Sequence, residues 1–396
     1  MPTSCAGRPD TDEPVGRGCV GRVITRHRPP RTVSRVGTPF VPGRELSRRF
    51  YAEAVRPLLD ERFGDLPHAA ALVGDGSDVL GHDTPMSTDH GWGPAVTLFL
   101  PDADAGRAPA IRALLTERLP RSFLGYPTGY ERHPDDPGTW LMTPGGAETR
   151  VLTATVRSFA RRQLGWDPAG PLEPADWLTF GSQQLLSVTA GPVFADAPGE
   201  LTALRERLAW YPVDVWRYLL AAGWARLGQE EHLMGRAGHV GDELGSAVIG
   251  ARLVRDLMAL GFLLERRYAP YPKWFGTAFR ELSCGPVLEP LLQEVLRAQT
   301  WPERQDAYAA AAEQLLRRLN DLRLAEPVPA RASLFWSRPF WVVHGDRVAA
   351  ALVEGITDPA VRRLTARRLV GGIDQWSDST DLKAPEWRPV LRRLYE

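Results

Sequence analysis

The chain has 396 residues, of which 43% are hydrophobic and 24% are charged, a composition typical of a folded protein with a substantial core. Its 48 basic and 48 acidic residues cancel, so we expect no strong attraction to nucleic acid or to an anionic membrane. No apolar run approaches the roughly 20 residues that cross a bilayer, and the N-terminus lacks the apolar stretch of a secretory signal. We therefore expect a cytoplasmic protein without a membrane partner.

The first elements are predicted from apolar spacing. Residues 1–37 are rich in Gly, Pro and Arg without periodicity, which predicts a disordered basic tail. From residue 45 to 63 the apolar side chains recur every three or four positions, as on one face of a helix. The apolar runs at residues 68–73 and 95–100 predict two strands, and residues 108–119 predict a helix that ends before a proline.

The rest of the chain divides into three parts. Residues 120–146 are predicted to form a long loop. A strand running into a helix is predicted at 150–159, and a strand broken by a Gly-Pro pair at 185–194. Helices are predicted at residues 201–210, 212–229, 241–267, 287–299 and 303–324. The predicted fold class is α+β, with a mixed-sheet domain at 38–200, a helical domain at 201–330, and a C-terminal segment at 331–396 that packs back on the body.

The stretch between the first two predicted strands carries the candidate chemistry. Gly76 lets the backbone approach a phosphate, and Ser77 adds a hydroxyl donor. Asp89, placed at the start of the second strand, offers oxygen to Mg²⁺, which takes few protein carboxylates and the rest from water and substrate phosphate. Side chains alternate along a strand, so a second ligand on the same face would stand at residue 91, which is glycine.

These features resemble two known groups of proteins. The Gly-Ser turn, the spacer and Asp89 are similar to the polymerase-β-like nucleotidyltransferase superfamily, whose signature adds an Asp-x-Asp pair. More closely, roughly residues 40 to 385 resemble an uncharacterised bacterial family that carries domain of unknown function 4037. The stretches that carry this second resemblance are LLSVTAGPVFAD at 185–196, WYPVDVW at 210–216, YAPYPKWFG at 268–276 and GGIDQWSDST at 371–380.

The resemblance implies a nucleotidyltransferase-like N-terminal domain, which moves a nucleotide from a nucleoside triphosphate to a hydroxyl of a small-molecule or protein acceptor. Gly76 and Ser77 would then hold the triphosphate, and Asp89 would hold Mg²⁺. A third carboxylate normally comes from a later strand in this superfamily. The candidates for it are Glu148, Asp176 and Asp196.

Glycine at position 91 removes one expected metal ligand, and phosphoryl-type transfer depends on metal ions for charge neutralisation. Asp78 or Asp83 replaces that ligand only if the loop folds back. The alternatives are therefore a non-catalytic nucleotide-binding or regulatory protein, and a helical half that acts as an interaction module. The acceptor, the nucleotide and the oligomeric state stay open.

Lysine is rare in this chain, with only Lys273 and Lys383 among 48 basic residues. A compact ammonium and a planar guanidinium are not interchangeable, so a lysine in an arginine-rich protein attracts attention. Lys273 lies in a proline-containing segment predicted to be extended, and we expect it to neutralise charge on the nucleotide. The alternative is a surface lysine over aromatic packing.

The acidic tail at 374–381 either folds back toward the cleft or is a solvated loop.

Overall fold

The computed structural model describes residues 39–396, apart from the side chain of Pro137, and Phe40–Glu396 form one compact unit. The predicted tail at residues 1–37 lies outside the described residues. The fold class is α+β, as predicted, with a mixed sheet in the N-terminal half and mostly helices after it. Within the described part, no helix combines the length and the apolar character that crossing a membrane requires.

The first half alternates short strands with helices. In chain order it contains α1 (Gly43–Phe50), α2 (Arg56–Phe63), β1 (Ala69–Ala71), α3 (Ser77–Leu80), β2 (Val96–Phe99), α4 (Ala108–Arg118), β3 (Ser122–Phe123), β4 (Tyr126–Pro127), β5 (Tyr130–His133), β6 (Asp136–Met142), β7 (Val151–Ala154), α5 (Val156–Leu164), α6 (Pro174–Thr179), α7 (Ser182–Thr189) and β8 (Val193–Asp196). A π-helical turn, Tyr51–Val55, joins α1 and α2 into the single helix that the apolar spacing predicted.

The second half is helical except for one small hairpin. It contains α8 (Glu200–Arg207), α9 (Val213–His239), α10 (Glu243–Leu264), α11 (Pro272–Arg280), α12 (Gly285–Arg297), α13 (Trp301–Asp321), β9 (Ser333–Leu334), β10 (Trp341–Val342), α14 (Gly345–Glu354), α15 (Pro359–Thr365), α16 (Ile373–Trp376) and α17 (Arg388–Arg392). Single 3-10 turns occupy Pro85–Asp89, Asp102–Arg107, Asp381–Lys383, Pro385–Trp387 and Arg393–Tyr395.

The central sheet has the strand order β7-β2-β1-β8. β1 pairs antiparallel with both β2 and β8, whereas β2 and β7 are parallel. Ala71 at the end of β1 faces Thr97 near the start of β2, and Val96 faces Val151 at the start of β7. The loop that follows β1 therefore lies at the edge of the sheet where β2 and β7 begin.

The long helix α9 organises the helical half. Its buried residues Trp216, Leu220, Trp224 and Leu227 recur every three or four positions and form an apolar face. α9 packs against α10 and α14, and α12 packs against α13. The buried residues of these helices continue into the sheet core through Phe99 on β2, so one hydrophobic core extends across both halves.

Three predicted elements were wrong in detail. The predicted loop at 120–146 contains two antiparallel hairpins, β3–β4 and β5–β6, because short aromatic strands alternate there with tight turns. The predicted strand at 185–194 is split into the end of α7 and β8, with Gly191 in the left-handed region at φ 78° between them. The segment predicted to be extended around Lys273 is the start of α11, because Pro272 suits the first position of a helix.

Candidate functional site

The loop after β1 requires glycine at position 76. Gly76 precedes α3 with extended backbone angles. A Cβ added there would lie 2.1 Å from Oδ1 of Asp78, whose side chain is buried, so this loop accommodates no larger residue without moving that carboxylate. Ser77 begins α3 and is half-buried, and no residue in the described part of the chain hydrogen-bonds its hydroxyl. The loop therefore offers a close backbone approach and a hydroxyl with free bonding capacity.

Asp89 does not lie on a strand. It ends the 3-10 turn that Pro85 starts, and β2 begins only at Val96. Its side chain is 58% exposed and contacts His90, whose backbone N–H donates to Oδ1 at 2.9 Å. Gly91 has φ 59°, in the left-handed region. Strand alternation therefore does not relate positions 89 and 91, although the loop still carries Asp89 as an outward-facing acid.

Asp78 and Asp83 do fold back, but toward the protein interior. Oδ2 of Asp83 accepts from the backbone N–H of Gly43 at 2.7 Å and from Nε1 of Trp92 at 2.9 Å. Asp78 is 1% exposed, and its Oδ1 accepts from the N–H of Val79 at 3.0 Å. Both carboxylates thus accept hydrogen bonds from the chain itself, and in the described residues neither belongs to a group of three or more potential metal ligands.

A half-buried arginine lies near Asp78. Arg150 directly precedes β7, at the same edge of the sheet as the loop. Burial raises the pKa of Asp78, although the positive charge of Arg150 opposes this effect. Oδ2 of Asp78 and Nη1 of Arg150 are both buried without a hydrogen-bond partner among residues 39–396. The loop therefore adjoins buried polar atoms that lack hydrogen-bond partners in the described chain.

Two candidates for the third carboxylate have structural roles elsewhere. Asp176 on α6 is buried, and Arg388 and Arg392 of α17 both donate to its Oδ1. Asp196 ends β8 opposite Ala69, the first residue of β1, so it lies at the far end of β1 from the loop. Its carboxylate accepts from the backbone and hydroxyl of a residue in α8. Neither acid joins Asp89.

Glu148 is the remaining candidate. It forms an isolated bridge with Tyr130 shortly before β7, its side chain is 53% exposed, and its carboxylate lies 3.9 Å from Arg132. The four residues of β7 itself, Val151–Ala154, include no acid. In the part of the chain that the structure describes, no group of three or more His, Cys, Asp or Glu side chains is placed to hold a metal ion.

Lys273 is exposed in the first turn of α11, with its Nζ 5.0 Å from the centre of the Trp274 ring. α11 does approach the loop, because Trp274 contacts the ring of His82 at 5.4 Å and Glu281 lies 3.6 Å from the same histidine. The structure therefore brings the helix of Lys273 next to the segment that follows α3. It shows no contact between Lys273 and Ser77 or Asp89.

A cavity of about 590 Å³ lies beside this loop. Its walls come from α6, α7, α9, α10, the start of α11 and the C-terminal segment around α16. Asp75, one residue before Gly76, lines it and accepts from the side-chain amide of Gln183 at 3.1 Å. Oε1 of Gln183 accepts from the backbone N–H of Tyr271 at 3.1 Å. The cavity thus begins where the loop meets α7 and α11.

The acidic tail folds back and forms one wall of this cavity. Oδ2 of Asp374 accepts from the backbone N–H of Ser182 at the start of α7, at 2.6 Å, and Oδ1 lies 2.7 Å from Nζ of Lys383. The side chain of Gln184 donates to the backbone oxygen of Lys383 at 2.6 Å. Of the two lysines, Lys383 is therefore the one that lines a cavity, and Lys273 is not.

Sequence reasoning missed Arg150 and most of the cavity. Arg150 stands at the start of a predicted strand, but arginine is frequent in this chain. Nothing in its sequence context distinguished it from the other arginines. The sequence indicated part of the cavity wall, because the family-like stretches at 210–216, 268–276 and 371–380 all contribute lining residues. Only the tertiary structure shows that these three stretches line the same cavity.

Comparisons with known proteins give one match. The family model described as Domain of unknown function (DUF4037) matches residues 177–275. No curated protein and no solved structure matches the chain. The matched range includes most of the residues that line the cavity and none of the loop after β1. This part of the chain is therefore similar to a domain whose name states no activity, and the nucleotidyltransferase-like domain at 38–200 stays a prediction.

Proposed function

We propose that this protein binds a nucleoside triphosphate at the loop after β1, and that it transfers the nucleotide slowly or not at all. In this proposal Gly76 and Ser77 contact the phosphates, and Asp89 is the acid that holds the accompanying Mg²⁺. Lys273 lies on the neighbouring helix and neutralises phosphate charge. The acceptor of a residual transfer reaction is a hydroxyl-bearing molecule.

Nucleotide binding is supported by the position of Gly76 and Ser77 relative to the sheet. They follow the end of β1 at the edge where β2 and β7 begin, and a Cβ at position 76 meets the buried Asp78 carboxylate. A glycine whose added Cβ would displace a buried carboxylate, next to a hydroxyl without a partner in the described chain, permits backbone and side chain to contact a phosphate together. This observation carries the proposal.

Impaired transfer is supported by the carboxylates. Two-metal clamps hold both the attacking and the leaving oxygens, and they need several acids around one point. Here Asp78 and Asp83 face inward, Asp176 and Asp196 have structural partners, and the strand next to β2 carries no acid. Asp89 is left as an exposed acid, and among residues 39–396 it belongs to no group of three or more His, Cys, Asp or Glu side chains that could hold a metal ion.

These residues suit one Mg²⁺ ion better than two. Magnesium is commonly bound through one or two carboxylates together with substrate phosphates, so Asp89 provides a minimal protein ligand for an ion that arrives with the triphosphate. Bound in this way, Mg²⁺ would supply charge neutralisation on the phosphates. Asp89 orients toward solvent from the 3-10 turn, and Ser77 supplies its hydroxyl from the start of α3.

Calorimetric titration with each of the four ribonucleoside triphosphates, with and without Mg²⁺, tests the proposal. We expect Mg²⁺-dependent binding without pyrophosphate release, and we expect Ser77→Ala to weaken it by roughly 2 kcal/mol because one hydrogen bond to a charged phosphate is lost. Absence of binding for all four nucleotides under both conditions would refute the proposal. Rapid pyrophosphate release by the wild type would refute its second half.

Gly91→Asp is the matching gain-of-function test. Position 91 has open space, since no atom of residues 39–396 lies within 4 Å of an added Cβ. Its φ of 59° costs a non-glycine residue about 1 kcal/mol, and aspartate tolerates this region better than most residues. We expect tighter Mg²⁺-nucleotide binding. Gly241→Asp is the control, because Gly241 also has positive φ and open space; equal affinities in the two variants would show that position 91 does not belong to the site.

A further inference from the structure

We propose that the cavity is a second binding site, separate from the loop after β1, and that its ligand is an uncharged aromatic molecule with a hydroxyl group. The role of this molecule as the acceptor of the nucleotide rests on the function proposed above, whereas its binding does not. Nothing in the family description assigns a ligand to residues 177–275.

The wall of the cavity is a preformed aromatic surface. Tyr211 contacts Trp177 at a ring distance of 5.5 Å and Tyr268 at 5.3 Å, and Tyr268 contacts Trp210 at 5.0 Å. The hydroxyl of Tyr268 donates to the backbone oxygen of Leu208 at 2.9 Å, which fixes its ring. Rings already held in place lose little conformational entropy on binding.

The remaining lining favours an apolar body of moderate size. Leu219, Leu260, Leu263, Phe275 and Ile373 extend the aromatic surface with aliphatic and aromatic groups. A volume of about 590 Å³ lies within the range of sites that enclose drug-sized molecules. A ligand of this kind would be bound chiefly through the apolar area that it removes from water.

The charges of the cavity oppose an anionic ligand. Nε of Arg226 lies 2.8 Å from Oδ2 of Asp256, and Nζ of Lys383 lies 2.7 Å from Asp374. An anion that recruits either cation would leave a partly buried carboxylate without its partner, which costs more than the new contact returns. The two inner cations are therefore not available for phosphate.

The outer cations are also paired. Arg255 contacts Asp378, and Arg267 lies 3.8 Å from Glu281. Every basic side chain among the described lining residues thus has an acidic partner, whereas Asp75 at the mouth is bound to the amide of Gln183 and to no cation. Asp75 is the natural acceptor for a ligand hydroxyl, and it places that hydroxyl one residue from Gly76.

Two probes with the same aromatic skeleton test the ligand class. N-phenyl-1-naphthylamine is neutral, and 1-anilinonaphthalene-8-sulfonate adds one negative charge to it. We expect the full-length protein to bind the neutral probe with one-to-one stoichiometry, measured by energy transfer from tryptophan. We expect the sulfonate to bind at least about tenfold more weakly, because each cation among the described lining residues already has an acidic partner. Equal affinities for the two probes would overturn the proposal.

Filling the cavity tests the location. Ala259 and Leu263 line the cavity from the same face of α10, and Ala251 is exposed on that helix outside the lining. We expect Ala259→Trp and, as a second variant, Leu263→Trp to weaken binding of the neutral probe at least about tenfold. We expect Ala251→Trp to leave the affinity for the probe within about twofold of wild type. Thermal unfolding of each variant confirms that it is folded. Unchanged affinity in both filled variants overturns the proposal.

Competition separates this inference from the proposed function. Two distinct sites predict that Mg²⁺-ATP does not displace the neutral probe. Competitive displacement would show that the cavity is the nucleotide's own site, which overturns the second site and leaves nucleotide binding intact. If no nucleotide binds while the probe binds in the filled-variant pattern, the proposed function fails and the cavity assignment stands.

Discussion

The loop after β1 and the cavity differ in how they treat charge. At the loop, Asp78 and Arg150 each keep one buried polar atom without a partner in the described chain, and Asp89 faces solvent. In the cavity, Arg226 and Asp256 pair directly, as do the other basic lining residues with their acids. Unsatisfied polar groups are expected where a ligand or strain is present, and paired ones where the interior must stay neutral.

This difference teaches that the two regions suit different ligands even though they adjoin at Asp75. The loop provides a hydroxyl and a close backbone approach, which suit phosphate oxygens. The cavity provides fixed aromatic rings and a balanced charge, which suit an uncharged ring system. Substitutions of Arg226 in the cavity, and of Gly76 and Asp78 in the loop, disturb one region at a time.

Arg226→Met should have the largest effect on stability. It leaves the carboxylate of Asp256, whose side chain is 11% exposed, without its nearest cation. Because Arg226 is itself 31% exposed, we expect a loss of about 2 kcal/mol, below the range for fully buried pairs. Urea denaturation measures the loss.

The double variant Arg226→Met/Asp256→Leu is the control for charge. It removes both members of the pair, and we expect it to recover most of the stability because no unpaired charge is left in the wall. If the double variant is as unstable as the single one, the arginine contributes through packing instead of through charge neutrality.

Gly76→Ala should destabilise the loop by roughly 1 to 2 kcal/mol, because the new Cβ displaces the buried carboxylate of Asp78. Gly106→Ala is the matched control, since no atom lies within 4 Å of a Cβ at Gly106. The free energy of unfolding of the control should change little. Equal effects of the two substitutions would contradict the close approach in the loop.

Asp78→Asn should change how stability depends on pH. Burial raises the pKa of Asp78 above its ordinary 3.8, so between 3.8 and the folded-state pKa the folded protein holds a proton that the unfolded chain has released. Stability therefore falls as pH rises through that interval. The variant lacks this fall, so its stability relative to wild type should improve as the pH rises from 3.5 to 7.

Asp214→Asn provides the comparison of opposite sign. Burial alone would raise the pKa of Asp214, but hydrogen bonds from Asp358, Arg217 and Thr357 outweigh it and lower the pKa. Wild-type Asp214 thus contributes stability above its ordinary 3.8, and this is lost as pH falls through the folded-state pKa. The variant should be less stable than wild type near pH 7 and approach it in acid; parallel pH curves for both substitutions would contradict this distinction.

Much of the fold was predictable because its elements carry strong local patterns. The helix at 43–63, the strands at 69–71 and 96–99, and α9, α10, α12 and α13 appear where apolar periodicity predicted them. The hairpins β3–β6 were missed because each strand is short and its turns resemble a loop. α11 was missed because Pro270 and Pro272 read as extended chain, although proline also begins helices.

The sequence alone determined the α+β fold class and the presence of Gly76 and Ser77 in the loop, because both depend on residue identity and short-range spacing. Only the tertiary structure decided that Asp78 and Asp83 face inward and that Asp176 pairs with α17. It also decided that the C-terminal segment closes an aromatic cavity around Lys383. These outcomes depend on contacts between residues far apart in the chain, and local periodicity carries no information about such contacts.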